Sequence, residues 1–168
     1  MFSVEYSRTT AATRPSTPTI GRMLEGTYVP SPAQWVRDQV ELYERTGGRE
    51  GNTLRETGLP IIIVTTRGTT TGNIRKIALM RVEHDGEYAL VASMGGAPKN
   101  PVWVSNLNAD PNSLMIQDGP EPWAAKVREV FGEERAAWWT RSVAAFPPYA
   151  DYALKTERVI PVFIASRA

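Results

Sequence analysis

The chain has 168 residues, 42% of them hydrophobic and 22% charged, enough to bury one core and too few to build two comfortable domains. It contains no cysteine and one histidine, His84, which excludes disulfide scaffolds, thiolate metal sites and a cysteine nucleophile and argues against a histidine metal site or a Ser-His-Asp triad. With 19 basic and 18 acidic residues the net charge is +1, too weak a field to collect nucleic acid through its phosphates, and no apolar run reaches the roughly 20 residues that span a bilayer.

Residues 1–27 read as a flexible tail. The stretch 7–19 is basic, rich in hydroxyls and without hydrophobic period, and no apolar segment follows it as a secretion signal would require. Translation from Met23 would remove most of it. The folded domain is expected to run from residue 28 to 168. Ser31-Pro32 reads as a helix start, and Val36, Val40 and Tyr43 then make an apolar stripe, with Trp35 beside it, up to Thr46-Gly47-Gly48. A β-branched strand, 60–66, leads into a turn-rich loop and a second strand, 74–82, in which Ile74, Ala78, Met80 and Val82 oppose Arg75 and Arg81. Asp85-Gly86 predicts a type I′ hairpin that pairs this strand with 88–93.

After a glycine-bearing loop, Asn100 is expected to cap a short helix with Pro101 at its first position. Two strands, 113–116 and 123–130, flank the turn Asp118-Gly119-Pro120. Glu133 and Glu134 open a long helix whose stripe is Trp139, Val143 and Phe146, and Pro147-Pro148 breaks it. A last strand, 159–164, carries Pro161, which suggests a sheet edge or bulge. Five or six hairpin-linked strands with three helices make an α+β, mainly β, chain. The pattern fits a small antiparallel barrel with helices packed outside better than a doubly wound parallel sheet.

Two loops could hold an anion. In the first, Gly68, Thr69, Thr70, Thr71 and Gly72 offer hydroxyls and unobstructed backbone N–H groups at the end of a buried strand, with Arg67 before them and Arg75 after, although the Gly-Lys-Ser/Thr ending of a Walker loop is missing. In the second, Ser93, Met94, Gly95 and Gly96 lead through Lys99 and Asn100 onto a helix N-terminus, with Trp103 close by. Tyr149 and Tyr152 place two phenols together, suited to flank a planar ring or a developing enolate, and core packing is the commoner fate of such residues. Trp35, Trp123, Trp138 and Trp139 read as packing and His84 as an exposed turn residue.

Taken in order, Thr65-Thr66-Arg67-Gly68-x-x-Thr71-Gly72-x-x-Arg75, then Ser93-x-Gly95-Gly96-Ala97-x-Lys99-Asn100-Pro101-x-Trp103-x-x-Asn106-Leu107, then Tyr149-x-Asp151-Tyr152, resembles the deazaflavin-dependent nitroreductase family of actinobacteria over residues 28–164. The resemblance is to the branch carrying Leu79-Met80-Arg81-Val82-Glu83-His84-Asp85-Gly86. It implies a split β-barrel of the kind that also binds flavin mononucleotide, with coenzyme F420 as cofactor. It puts the phosphate and tail on Arg67, Gly68, Thr69, Thr70, Thr71, Gly72, Arg75, Lys99 and Asn100. Ser93, Met94, Gly95 and Gly96 would follow the ring edge, with Trp103 and Asn106 as support. Tyr149, Tyr152 and Ser93 would face the acceptor as catalytic groups. Relatives place Lys or Arg where this chain has Thr69 and Thr70, and the nitroimidazole-reducing branch has a tyrosine at the position of Phe146.

The implied activity is hydride transfer from reduced F420 to an electron-poor quinone, enone or nitroaromatic. The resemblance also implies cytoplasmic location, with a homodimer and peripheral membrane contact through the Trp35 helix both left open. Two alternatives stand beside it: a split-barrel oxidoreductase using flavin mononucleotide, and a non-catalytic cofactor carrier or ligand sensor on the same barrel.

Overall fold

The β-branched run after Pro60 becomes β1 (Ile61–Arg67), a strand buried on both faces. The computed structural model describes residues 24–168, so residues 1–23, with the Met23 start, lie outside the described residues. Ahead of the expected boundary at Tyr28, the carbonyl of Thr27 accepts from Ile74 N–H at 2.8 Å and Val29 N–H donates to Ile74 O at 2.9 Å, so the backbone is already paired at Thr27.

Among the described residues, one antiparallel sheet holds seven strands in the order β2-β1-β5-β6-β7-β4-β3. The others are β2 (Ile74–Met80), β3 (Glu83–His84), β4 (Glu87–Val91), β5 (Leu114–Gln117), β6 (Pro122–Glu129) and β7 (Val162–Arg167). The sheet curls until its two ends meet, Ala89 N–H donating to Val82 O at 2.8 Å. Four α-helices of the described residues accompany it: α1 (Gln34–Thr46), α2 (Val102–Ala109), α3 (Gly132–Ala145) and α4 (Pro148–Lys155).

The curl divides the core in two. Alternate residues of every strand except β3 face inward, among them Ile62, Val64, Leu90, Ile116, Ala125 and Phe163, and Trp103, Val104 and Leu107 of α2 plug one end. The opposite parity, including Ile61, Ile63, Met80, Val91, Val162 and Ile164, packs outward against Val40 and Tyr43 of α1, Trp138 of α3 and Tyr149 of α4. Arg81, Asp118 and Tyr88 meet at the far end. Asp118 Oδ2 accepts from Arg81 Nε at 2.8 Å and from the Tyr88 hydroxyl at 2.7 Å, and Tyr88 leans on Trp123 with ring centroids 5.7 Å apart.

Several expectations change once distant segments are in place. The Asp85-Gly86 turn forms with both residues at positive φ, 51° and 80°, but its ladder is two residues long because β2 pairs with β1 and β4 with β7. The main partner of β2 comes before it in the chain, not after. Helix α1 begins at Gln34 rather than at Ser31-Pro32, and the Ser31 hydroxyl accepts from Ala33 N–H just ahead of the first turn. Pro147-Pro148 ends α3 and at once starts α4, since proline is tolerated where the first-turn N–H groups need no partner. The face of α3 that sinks deepest carries Trp138 and Ser142, with Trp139 and Val143 packed at its margin. Strand β7 begins after Pro161 and lies between β6 and β4, so that proline marks no edge. Trp35, expected to pack, is 45% exposed beneath the Arg55 guanidinium, 4.3 Å from its ring centroid.

Burial and the bond to Asp118 push the Tyr88 phenol up to about 12. Because this lies above the value of ~10 for an unfolded tyrosine, its contribution is present below pH ~10 and is lost as pH rises through the folded value. Tyr88→Phe is expected to remove one late-ionising phenol from the alkaline absorbance titration and to make the loss of stability in that window shallower, read by denaturant melts on either side of it.

Candidate active site at the barrel mouth

At the end opposite Asp118, the inward faces of β1 and β2 run out of apolar residues. Thr66 and Arg75 are cross-strand partners there, and with Ile77 they form one wall of a cavity of about 420 Å³. The loop residues Gly68, Thr69, Thr70 and Thr71 form the second wall. Val102, Trp103, Ser105 and Asn106 of α2 form the third. The helix that plugs the barrel therefore also presents its N-terminal turn, the positive end of its dipole, to this cavity.

Loop and helix are tied together by Asn106, a buried residue whose Oδ1 accepts from Thr69 N–H at 3.2 Å. Within the loop, Gly68 N–H donates to Asn73 O and Gly72 N–H to Gly68 O, which closes the turn with Gly72 at φ 72°. The N–H groups of Thr70 and Thr71 have no protein acceptor among the described residues. Arg75 is the cation of the lining, no carboxylate lines the cavity, and Arg75 enters no ion pair among the described residues. Hydroxyls, free N–H donors, one guanidinium and a helix N-terminus suit an anionic phosphate. Ile77, Val102 and Trp103 supply an apolar side.

The expected residues divide into two groups. Gly68, Thr69, Thr70, Thr71, Arg75, Trp103 and Asn106 line the cavity together. Arg67 points elsewhere: as the neighbour of inward-facing Thr66 it lies on the other face, and its guanidinium is 3.9 Å from Asp110. Gly72 sits at the turn's end, outside the lining. Ser93, Met94, Gly95 and Gly96 form a separate 3₁₀ turn seated on α4, so tightly that a Cβ on Gly96 would fall 2.8 Å from Tyr152 O. Tyr152 is thereby brought to this turn, while Tyr149 is 4% exposed within an aromatic cluster with Phe146 and Trp139. Burial raises the Tyr149 phenol well above its ordinary range, so it keeps its proton at neutral pH.

Lys99 is exposed on the link to α2. Asn100 does not cap that helix, whose first residue is Val102; its Oδ1 instead accepts from Arg158 at 2.7 Å. Arg158 was not among the expected residues. It sits between Glu157 and Val159 with no motif around it, and only the fold brings it to residues 92–100. Thr66, Ile77, Val102 and Ser105 were also missed; the alternation of β1 and β2 was the signal for the first two.

A family model described as F420H(2)-dependent quinone reductase matches residues 35–167. The chain belongs to this family. It is an F420-dependent oxidoreductase, with coenzyme F420 as its cofactor. An F420H(2)-dependent quinone reductase of Mycobacterium tuberculosis is 28% identical over 137 residues, 80% of this chain and 91% of that one. The solved structure of an F420-H2 dependent reductase, FDR-A, is 49% identical with a TM-score of 0.60, covering 64% of this chain and 94% of that one. A second solved structure, whose description is only that of a domain-swapped dimer, is 46% identical with a TM-score of 0.62, covering 81% of this chain and 100% of that one. These neighbours place the curled sheet in the split-barrel-like fold of the F420-dependent reductases.

The close seat of Gly96 gives a test. Gly96→Ala adds a Cβ at φ 81° against the α4 backbone and is expected to cost at least about 1 kcal/mol, with faster amide exchange in residues 93–97, measured by thermal unfolding and hydrogen exchange.

Proposed function

We propose that this protein reduces a quinone at the expense of reduced F420, and that the cavity between the 68–72 loop and α2 receives the cofactor's phosphate-bearing tail. The observation that carries the reading is the lining of that cavity, where Arg75, the free N–H groups of Thr70 and Thr71 and the first turn of α2 converge with no opposing carboxylate. Hydroxyls at Thr69 and Thr70 replace the basic side chains common in relatives, so Arg75 carries most of the charge-assisted binding. When bound, reduced F420 supplies a hydride from C5.

The chain's own residues do the rest. The 93–96 turn follows the ring edge, Lys99 and Asn100 lie along the path to the tail, and Trp103 and Asn106 hold the loop and helix in register. Tyr152, whose backbone meets the turn, would orient the acceptor oxygen with its phenol, and Tyr149 backs it through ring contact, centroids 6.3 Å apart. Ser93 offers a second hydroxyl on the same turn. Preorganised donors of this kind stabilise charge developing on the acceptor and exclude water.

Enones and nitroaromatics are further acceptors of the same electron-poor class. Met94, Val102, Leu154 and Val159, all more than half exposed, offer apolar surface suited to a lipophilic quinone or to a second subunit. We place the enzyme in the cytoplasm, as a homodimer built on the domain 28–168, with Trp35 as its point of membrane contact. Among the described residues no helix is long and apolar enough to cross a membrane.

Fluorescence titration with oxidised F420, with flavin mononucleotide and NADPH as controls, tests the cofactor site. Saturable quenching by F420 alone is expected, and Arg75→Ala should weaken it by about 10- to 100-fold, the range of one charge-assisted hydrogen bond of ~1.5–3 kcal/mol. Binding of flavin in place of F420 would overturn the reading. Turnover of a benzoquinone with reduced F420, absent with a saturating nicotinamide donor, tests the acceptor.

A further inference from the structure

Arg158 lies in the link between α4 and β7, remote in sequence from every glycine loop. Its Nε–H donates to Ala97 O at 2.9 Å, one terminal nitrogen donates to Ala92 O at 3.1 Å and Asn100 Oδ1 at 2.7 Å, and the other donates to Ser93 O at 2.8 Å. All four acceptors belong to residues 92–100. A planar guanidinium can reach them together because its donors are fixed in a fork, which an ammonium cannot reproduce.

The turn held in this way is an awkward one. Met94, Gly95 and Gly96 all have positive φ, 45°, 65° and 81°, and methionine resists that region. Gly96 N–H donates to Ser93 O and Ala97 N–H to Met94 O, while the N–H groups of Met94 and Gly95 have no acceptor among the described residues. Ser93 is right-handed, φ −74° and ψ −40°, directly before left-handed Met94. Successive N–H groups in that arrangement converge on one side and suit an electron-rich atom. Arg158 takes up the carbonyls that would otherwise compete for that place.

We propose that Arg158 is a positioning residue for the reduced cofactor: by engaging the carbonyls of Ala92, Ser93 and Ala97 and the side chain of Asn100, it fixes the 93–97 turn so that N–H donors, not carbonyl oxygens, meet the acceptor atoms along the edge of the deazaflavin ring. The proposal rests on the F420 reading above. It separates two tasks, with Arg75 holding the tail by charge and Arg158 holding the ring by shaping backbone that it does not leave. Arg158 touches neither cofactor nor acceptor.

Wild type, Arg158→Lys and Arg158→Ala are compared by F420 fluorescence titration, by kcat and quinone KM, by thermal unfolding, and by hydrogen exchange of the cofactor-free protein. Arg158→Ala is expected to raise the F420 Kd tenfold or more, lower kcat, leave the quinone KM within twofold and speed exchange of the amides of residues 94–97. Added guanidinium ion should restore part of the F420 affinity to Arg158→Ala. Arg158→Lys, which keeps the charge but loses the fork, should show a severalfold rise in Kd, and it carries the test if the alanine variant does not fold. A lowered melting temperature with unchanged Kd in either variant would overturn the proposal, leaving Arg158 a purely structural tie. Wild type that fails to bind F420 refutes the cofactor reading itself, a result distinct from wild type and variants binding equally well.

Discussion

A strand buried on both faces, as β1 is, has room for polar side chains only at its ends, and this constraint organises the molecule. Strand β1 is apolar at four successive positions because Ile61 and Ile63 meet the helices outside while Ile62 and Val64 meet the barrel interior. Once the sheet has curled, inward-facing polar residues are tolerated only where the barrel opens. At one opening Arg81, Asp118 and Tyr88 satisfy one another. At the other, Thr66 and Arg75 face a cavity that α2 only partly fills. One opening is closed by its own hydrogen bonds, and the other keeps an open cavity.

The open end is assembled from segments that do not touch in sequence. The glycine loop gains its shape from Asn106, thirty-seven positions away, and the 93–97 turn gains its shape from Arg158, more than sixty positions from the carbonyls of Ala92 and Ser93. In both places a side chain satisfies backbone groups that would otherwise cost about 1–3 kcal/mol each if buried unpaired. The consequence is a rigid frame around a space with few charges. That suits a cofactor whose reactivity is its own and whose protein must chiefly orient it and keep out water.

Uncharged Thr69 and Thr70 at the loop tip fit the same frame. The loop keeps its N–H donors and its tie to α2 whatever side chains occupy its tip, because the tip residues are exposed and the tie runs through backbone. With no charged side chain at the tip, Arg75 of strand β2 is the cation of the cavity lining.

Local chemistry determined much of this from the sequence: the β-branched strand, the Asp85-Gly86 turn, the amphipathic stripe of α1, the glycine loops, and the order of motifs that marks the family. These are legible because periodicity and turn chemistry act over a few residues. Strand partners, the second life of Pro147-Pro148 as a helix start, and the roles of Asn100 and Arg158 were decided only by the tertiary structure. Each depends on which distant backbone groups a side chain meets once the sheet has closed, and neither spacing nor composition encodes that encounter.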